Sequence, residues 1–303
     1  MNAFTNDARR HKFSEKQITT IAGLADLLRR YENRLKAANK AASTVKGYRR
    51  GIRDLSLFNG ILPADQDIDQ IIDYLNFLKE VKHLSWQKIK WDVAGIKYYF
   101  REMERDEDMA SMIPFPKEKK KLPQVLSREE LIKLFNSCAN PKHRVLFRLI
   151  YSAGLRRTEL LNLRIKDIET KDRKYRIRIN QGKGGKDRYT VLSKKILAEL
   201  RQYYIECRPK EYLFNGHKKG EKMSAGGLRH ALNKAVSRSK IQKKVNCHIL
   251  RHCFASHALE DGMNIRTLQY LMGHSSIRTT LIYLHISDIP MSKAFSPLDN
   301  LAE

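Results

Sequence analysis

The chain has 303 residues, 42% of them hydrophobic, enough to build the core of one large domain or two ordinary ones. Lysine and arginine number 59 against 33 acidic residues, a net charge of +26 that points to a polyanionic partner, nucleic acid first. No apolar run approaches the length of a membrane-spanning helix and MNAFTNDARRHKF lacks a leader's apolar stretch, so a cytoplasmic protein with no membrane partner is expected. Cys138, Cys207, Cys247 and Cys253 form no CxxC pair and are too irregularly spaced for a disulfide framework, which fits a reducing compartment.

The charge is uneven: +4 over residues 1–110 and +22 over 111–303. Within the front, Arg29 to Arg53 holds nine basic residues and one acid, Glu32, while Asp65, Asp67, Asp69 and Asp73 cluster afterwards. One face of the front is therefore expected to be basic.

In chain order, Ile21, Leu24, Leu27, Leu28, Tyr31 and Leu35 recur at three-and-four spacing, the signature of an amphipathic helix. Val45, Tyr48, Ile52, Leu55 and Phe58 repeat it, with Ser43 or Thr44 as the expected cap. ADQDIDQIIDYLNFLKEV reads as a third helix, and SWQKIKWDVAGIKYYFREME, from Ser85, as a fourth. Together they predict a small bundle over residues 14–106. MIPFPKEKKKLPQVLS follows, with prolines and lysines crowded into an extended linker over 107–126. A second domain over 127–303 opens at SREELIKLF, where Ser127 and Glu130 form a capping box. Helices are predicted at 127–138 and 141–153, and another through LRRTELLNL. KYRIRINQ and DRYTVLS then read as strands joined by the glycine-rich turn GKGGK, before helical pattern resumes at KKILAELRQYY. The predicted fold is mainly α with a small antiparallel β-sheet.

Several polar residues stand out. GLRRTELLNL puts Arg156 three residues before Glu159, HILRH puts His248 three before Arg251, Lys183 sits on the hairpin turn, and His274 and Tyr283 lie in LMGHSSIRTTLIYLHIS. These are what chemistry on a phosphodiester needs. Paired guanidiniums fork onto non-bridging oxygens and stabilise the charge that grows there in the transition state. A histidine donates or shuttles a proton, a lysine protonates a departing alkoxide, and a tyrosine hydroxyl attacks phosphorus. Arginines supply charge that a magnesium ion otherwise brings, and there is no GxxxxGK[ST] loop for a nucleotide. In one unbroken helix the nine residues from His274 to Tyr283 turn about 900°, which points them apart. Gly273, Ser275 and Ser276 predict a break and a new cap that let the two side chains converge.

YSAGLRRTELLNL, GKGGKDRYTVLS, HILRHCFASHALEDG and LMGHSSIRTTLIYLHIS, in this order and spacing, resemble the tyrosine recombinase, or phage integrase, family, Xer recombinases included. The resemblance covers most of residues 127–290 and implies an α+β catalytic domain behind a helical, SAM-like core-binding domain. It implies that Arg156 and Arg251 clamp the phosphate and that Glu159 supports the site. It makes Lys183 the general acid on the leaving 5′ oxygen, His248 and His274 the family's two histidines, and Tyr283 the nucleophile that forms a 3′-phosphotyrosyl link. It implies site-specific recombination of double-stranded DNA through a Holliday junction, a homotetramer on two DNA sites, and SKAFSPLDNLAE docking on a neighbour. Arg29, Arg30, Lys46, Arg49, Arg50 and Arg53, with Lys119, Lys120 and Lys121 of the linker, are the expected DNA contacts. Arg157 and Thr158 stand where small or apolar residues are usual, which leaves the choice of clamp between Arg156 and Arg157 to be made on the preceding Gly-Leu and the spacing to Glu159.

Each residue alone has a plainer reading: a surface ion pair for Arg156 and Glu159, a turn lysine for Lys183, a core aromatic for Tyr283. Their joint order is what the plainer readings do not predict. Cys247, His248, His252, Cys253 and His257 crowd eleven positions, but the spacing fits no closed zinc site, and no metal or cofactor is expected. A DNA-binding regulator, a type IB topoisomerase-like enzyme and an RNA-binding protein are the competing readings.

Overall fold

The computed structural model describes residues 13–115, 124–171, 174–180, 187–216 and 220–284. The chain divides into two compact units, Met1–Lys120 and Lys121–Glu303.

The first unit is built on α1 (Leu24–Ala37), α2 (Ala42–Asn59), α3 (Ile68–Asn76), α4 (Trp86–Tyr99) and α5 (Glu107–Met112). Leu24, Leu27, Leu28, Tyr31 and Leu35 of α1 are all buried, as their spacing requires. Gly51 and Gly95 let α2 and α4 approach closely: a Cβ on Gly95 would lie 2.9 Å from the Tyr48 Cα, and one on Gly51 3.2 Å from the Asp92 Cα. Tyr31 locks the contact by donating its hydroxyl proton to the Gly95 carbonyl at 2.7 Å.

Three details differ from the sequence reading. The N-cap of α2 is Ala41, without a side-chain cap bond, rather than Ser43 or Thr44, which lie inside the helix. The third helix starts late, because Asp67 accepts the Gln70 N–H at 2.8 Å while Gln70 accepts the Asp67 N–H, a capping box that fixes the start at Ile68. Its end, and that of the fourth, run on as π-helical turns, Phe77–Val81 and Phe100–Glu104, which keep Phe77, Leu78 and Phe100 buried.

The second unit contains α6 (Arg128–Asn136), α7 (Pro141–Ala153), α8 (Arg157–Asn162), β1 (Ile168–Glu169), β2 (Arg176–Ile179), β3 (Arg188–Val191), α9 (Lys194–Cys207), α10 (Ala225–Ser239), α11 (Cys247–Glu260), α12 (Ile265–Met272) and α13 (Arg278–Leu281). The Ser127 and Glu130 capping box opens α6. The three strands form an antiparallel sheet in chain order, with Ile177 opposite Thr190 and Arg178 opposite Tyr189. Strand β1 is an addition to the two predicted, too short to show an alternation of its own. Ile177 and Ile179 point into the main core with Phe147, Leu149, Ile150, Leu160 and Leu250. A second cluster joins Phe254 and Ala255 of α11 to Leu268 and Met272 of α12 and to Tyr283.

Two glycines shape what lies between. Gly154 ends α7 at φ +62 and leaves no room for a side chain, since a Cβ would fall 2.4 Å from a ring carbon of Phe254. Gly273 ends α12 at φ +61, and a Cβ there would come within 2.8 Å of the Arg188 side chain. Each turn aims a carbonyl group at an arginine.

Candidate active site

The site is organised by α11. Asn246 caps it, accepting the backbone N–H groups of His248 and Ile249 at 2.8 and 3.1 Å. His248, Arg251 and His252, three and four residues apart, then share one side of the helix. Arg251 is 1% exposed. Its Nη1 donates to the Gly154 carbonyl at 2.5 Å, and its Nη2 to the Met272 carbonyl at 2.5 Å and to His274 Nε2 at 3.1 Å.

The end of α12 is the anchor for two further arginines. Arg188 Nε donates to the Leu271 carbonyl at 3.0 Å, and Arg156 Nη2 to the Gly273 carbonyl at 2.6 Å. Three consecutive carbonyls, residues 271 to 273, thus each hold one guanidinium. A helix C-terminus carries unpaired carbonyls and partial negative charge, so it is suited to hold cations together.

Glu159 supplies the formal countercharge. Its two carboxylate oxygens accept from Arg188 Nη1 and Nη2 at 2.7 and 2.9 Å, from Arg156 Nη1 at 2.7 Å and from the Arg156 backbone N–H at 2.8 Å. Arg251 Nη1 lies 3.8 Å away. Burial pushes the Glu159 carboxyl up, but the Arg188 and Arg156 bonds outweigh it and bring its pKa down to about 2. Arg251 is moved the other way, to about 9, by burial and then by the Arg156 charge, with Glu159 opposing, and it stays cationic at neutral pH. Arg156 precedes α8 in extended conformation and turns inward, whereas Arg157 is exposed. Of the two neighbours, Arg156 is the one that belongs to the cluster.

The break after Gly273 brings His274 and Tyr283 together, their rings near parallel at 10° with centroids 6.4 Å apart. The new segment is capped at Ile277 rather than at a serine, although the Ser276 hydroxyl accepts the Arg278 N–H at 3.3 Å. A guanidinium only donates, so His274 Nε2 accepts from Arg251, and Nδ1 carries the ring proton toward Thr280 Oγ1 at 2.9 Å. Burial, then Arg251, Arg156 and Arg188, depress the His274 pKa to about 3. Tyr283 is 2% exposed, and its hydroxyl meets His252 Nδ1 at 2.8 Å. Burial raises the Tyr283 pKa to about 12 against the pull of Arg251 and Arg156.

Residues 124–289, which contain every one of these side chains, match the family model described as the phage integrase family. The chain belongs to the phage integrase family of tyrosine recombinases. Residues 27–108 of this integrase also match the family's N-terminal SAM-like domain. It is 34% identical over 279 residues to a putative integrase/recombinase of Sinorhizobium fredii, covering 92% of this chain and 90% of the relative. It is 32% identical over 282 residues to the tyrosine recombinase XerA of Thermococcus onnurineus, covering 90% and 95%. The fold is shared with a lambda integrase dimer bound to a core site, at TM-score 0.71 and 20% identity over 84% of this chain and 96% of that one. It is shared as well with the XerH recombinase bound to palindromic difH, at TM-score 0.69 and 21% identity over 97% and 95%.

Of the residues singled out in the sequence, Arg156, Glu159, Arg251, His274 and Tyr283 are brought together, with His248 4.4 Å from His252, ring to ring. Lys183, Lys119, Lys120, Lys121 and the tail SKAFSPLDNLAE lie outside the described residues. Arg29 and Arg30 pair with Asp26 on the surface of α1, and Lys46 is exposed on α2. Arg50 holds Asp92, and Arg49 and Arg53 both hold Glu15. The Arg53 side chain is only 12% exposed and also takes Asp54. Two site residues were missed. Arg188 points inward from β3, and in RYTVL the alternation that buries Thr190 and Leu192 buries Arg188 too, so an acidic partner was needed. His252 could have been found four residues after His248.

Proposed function

We propose that Tyr283 is the nucleophile of this recombinase, attacking a DNA phosphate clamped by Arg156 and Arg251 to form a 3′-phosphotyrosyl link. The observation that carries this is the cluster itself. Arg156, Arg251 and His274 are locked by Glu159 and the end of α12 beside the tyrosine. Donors held in place before reaction need no reorganisation as charge develops on the phosphate oxygens, which is where electrostatic catalysis gains most. The covalent link conserves the phosphodiester, so rejoining by the freed 5′ hydroxyl uses no nucleotide.

DNA is the partner, and a cleft of mixed charge opens beside the cluster, lined by Arg156, Arg164, Lys166 and Arg178 and also by Asp167 and Glu169; its cations are candidates for backbone contacts. We assign residues 14–106 to DNA binding through Arg29, Arg30 and Lys46, joined by the linker lysines Lys119, Lys120 and Lys121. Lys183 protonates the leaving 5′ oxygen. The working assembly is a homotetramer on two DNA sites that exchanges strands through a Holliday junction, the tail after Tyr283 reaching a neighbour. Among the described residues no helix is long and apolar enough to cross a membrane.

The test is a nicked duplex that loses a short fragment on cleavage and so traps the covalent complex. An adduct with wild type, absent with Tyr283→Phe although DNA still binds, is the expected result. Cleavage by Tyr283→Phe overturns the assignment.

A further inference from the structure

Tyr283 must lose its proton as it attacks, and neither the arginine clamp nor His274 can take it. Guanidiniums hold no lone pair for a proton. His274 has both ring nitrogens engaged, Nε2 with Arg251 and Nδ1 with Thr280. The hydroxyl instead meets His252 Nδ1 at 2.8 Å, within the range for direct proton transfer. A phenol is the better donor of the two and an imidazole nitrogen the better acceptor, so the hydroxyl donates and the proton of neutral His252 sits on Nε2.

Resting on the reading of Tyr283 as nucleophile, we propose that His252 is the general base of the cleavage step and the general acid of religation. In cleavage the Tyr283 oxygen forms its bond to phosphorus, the bond from phosphorus to the 5′ oxygen breaks, and the tyrosine proton moves to His252 Nδ1. The 5′ oxygen takes a proton from Lys183 or water. Religation runs the same transfers backwards: the 5′ hydroxyl attacks, the phosphotyrosyl bond breaks, and His252 returns its proton to the departing Tyr283 oxygen.

The surroundings keep His252 neutral before attack, so its Nδ1 lone pair is free to accept. His252 is half-buried on α11. It faces His248 and Arg251 from its own helix, while Arg156, Arg188 and His274 crowd the same cluster from the turn before α8, from β3 and from the turn after α12. Burial, then His248 and Arg251, hold its pKa down to about 4, so it is unprotonated at neutral pH. His248, exposed, packs edge-on against it at 4.4 Å between ring centroids. This role falls to a different histidine from the His248 that the family resemblance singles out: the Tyr283 hydroxyl meets His252 Nδ1 at 2.8 Å.

The experiment measures single-turnover cleavage of the nicked duplex by His252→Gln, which still accepts a hydrogen bond but cannot carry the proton. The expected loss is about 100-fold in rate with DNA affinity unchanged. Between pH 7 and 8.5 the variant's rate should climb about tenfold per unit while wild type stays flat, because ionised tyrosine must now be formed from solvent. Trifluorotyrosine at position 283, which ionises without help, should restore most of the variant's loss. A variant within about threefold of wild type, or a deficit that neither pH nor fluorination moves, overturns the proposal in favour of a packing role. If His252→Gln binds no DNA, the wild-type chain decides: a solvent deuterium isotope effect on cleavage that vanishes with trifluorotyrosine supports the transfer, and one that persists refutes it. Failure of wild type to form any adduct at Tyr283 would instead defeat the nucleophile assignment.

Discussion

Replacing Glu159 by glutamine keeps the shape of the side chain and removes a formal negative charge that Arg156, Arg188 and Arg251 share. Burial favours the neutral acid, yet the Arg188 and Arg156 bonds prevail and carry the pKa from 4.5 to about 2. At about 1.4 kcal/mol per unit, a shift of that size stabilises the folded state by about 3 kcal/mol. The sign follows from the direction. A carboxyl depressed on folding contributes fully above its unfolded value of 4.5 and loses the contribution as pH falls toward 2. Wild type should therefore exceed Glu159→Gln by about 3 kcal/mol at pH 7, in line with the cost of breaking a buried ion pair, with the gap closing between about pH 4.5 and 2. Urea unfolding followed by far-ultraviolet circular dichroism measures it. Tryptophan fluorescence does not, because both tryptophans, Trp86 and Trp91, lie in the first unit. A gap below about 1 kcal/mol at pH 7, or one that ignores pH, refutes the reasoning.

Arg251→Lys keeps the charge but loses the fork that spans the Gly154 and Met272 carbonyls and His274. Single-turnover cleavage should fall at least about 100-fold while gel-shift affinity changes little. Gly273→Ala combines strain of about 1–2 kcal/mol at positive φ with a clash against Arg188, and should lower both stability and cleavage, since the residue 273 carbonyl anchors Arg156. Gly60→Ala, also at positive φ but with nothing within 4 Å of the added carbon, should show the strain alone in a denaturation midpoint. Lys46→Ala should reduce the slope of log affinity against log salt by about 1, whereas Arg53→Ala, engaged with Glu15 and Asp54, should chiefly destabilise the first unit.

The helices of both units were legible where apolar spacing was strong, as in α1, or where a cap was written plainly, as at Ser127 and Glu130. Apolar periodicity alone overextends the third helix at its start, because it does not register the reciprocal cap that Asp67 and Gln70 form. The ordered motifs located Arg156, Arg251, His274 and Tyr283, and the glycine before His274 gave the break that lets two residues nine apart converge. What spacing could not give was the means of holding them. That three arginines would line up on the carbonyls of residues 271 to 273 depends on tertiary packing of β3, α8 and α11 around the end of α12. Nor could it show that the tyrosine hydroxyl meets His252, a contact that depends on the path of the chain after Gly273.

The most direct test is to isolate the covalent complex from the nicked duplex, digest it, and identify by mass spectrometry which residue carries the nucleotide and through which end. A 3′-phosphonucleotide on the peptide containing Tyr283 is the predicted result. Attachment to any other residue, or through a 5′ phosphate, would contradict the account.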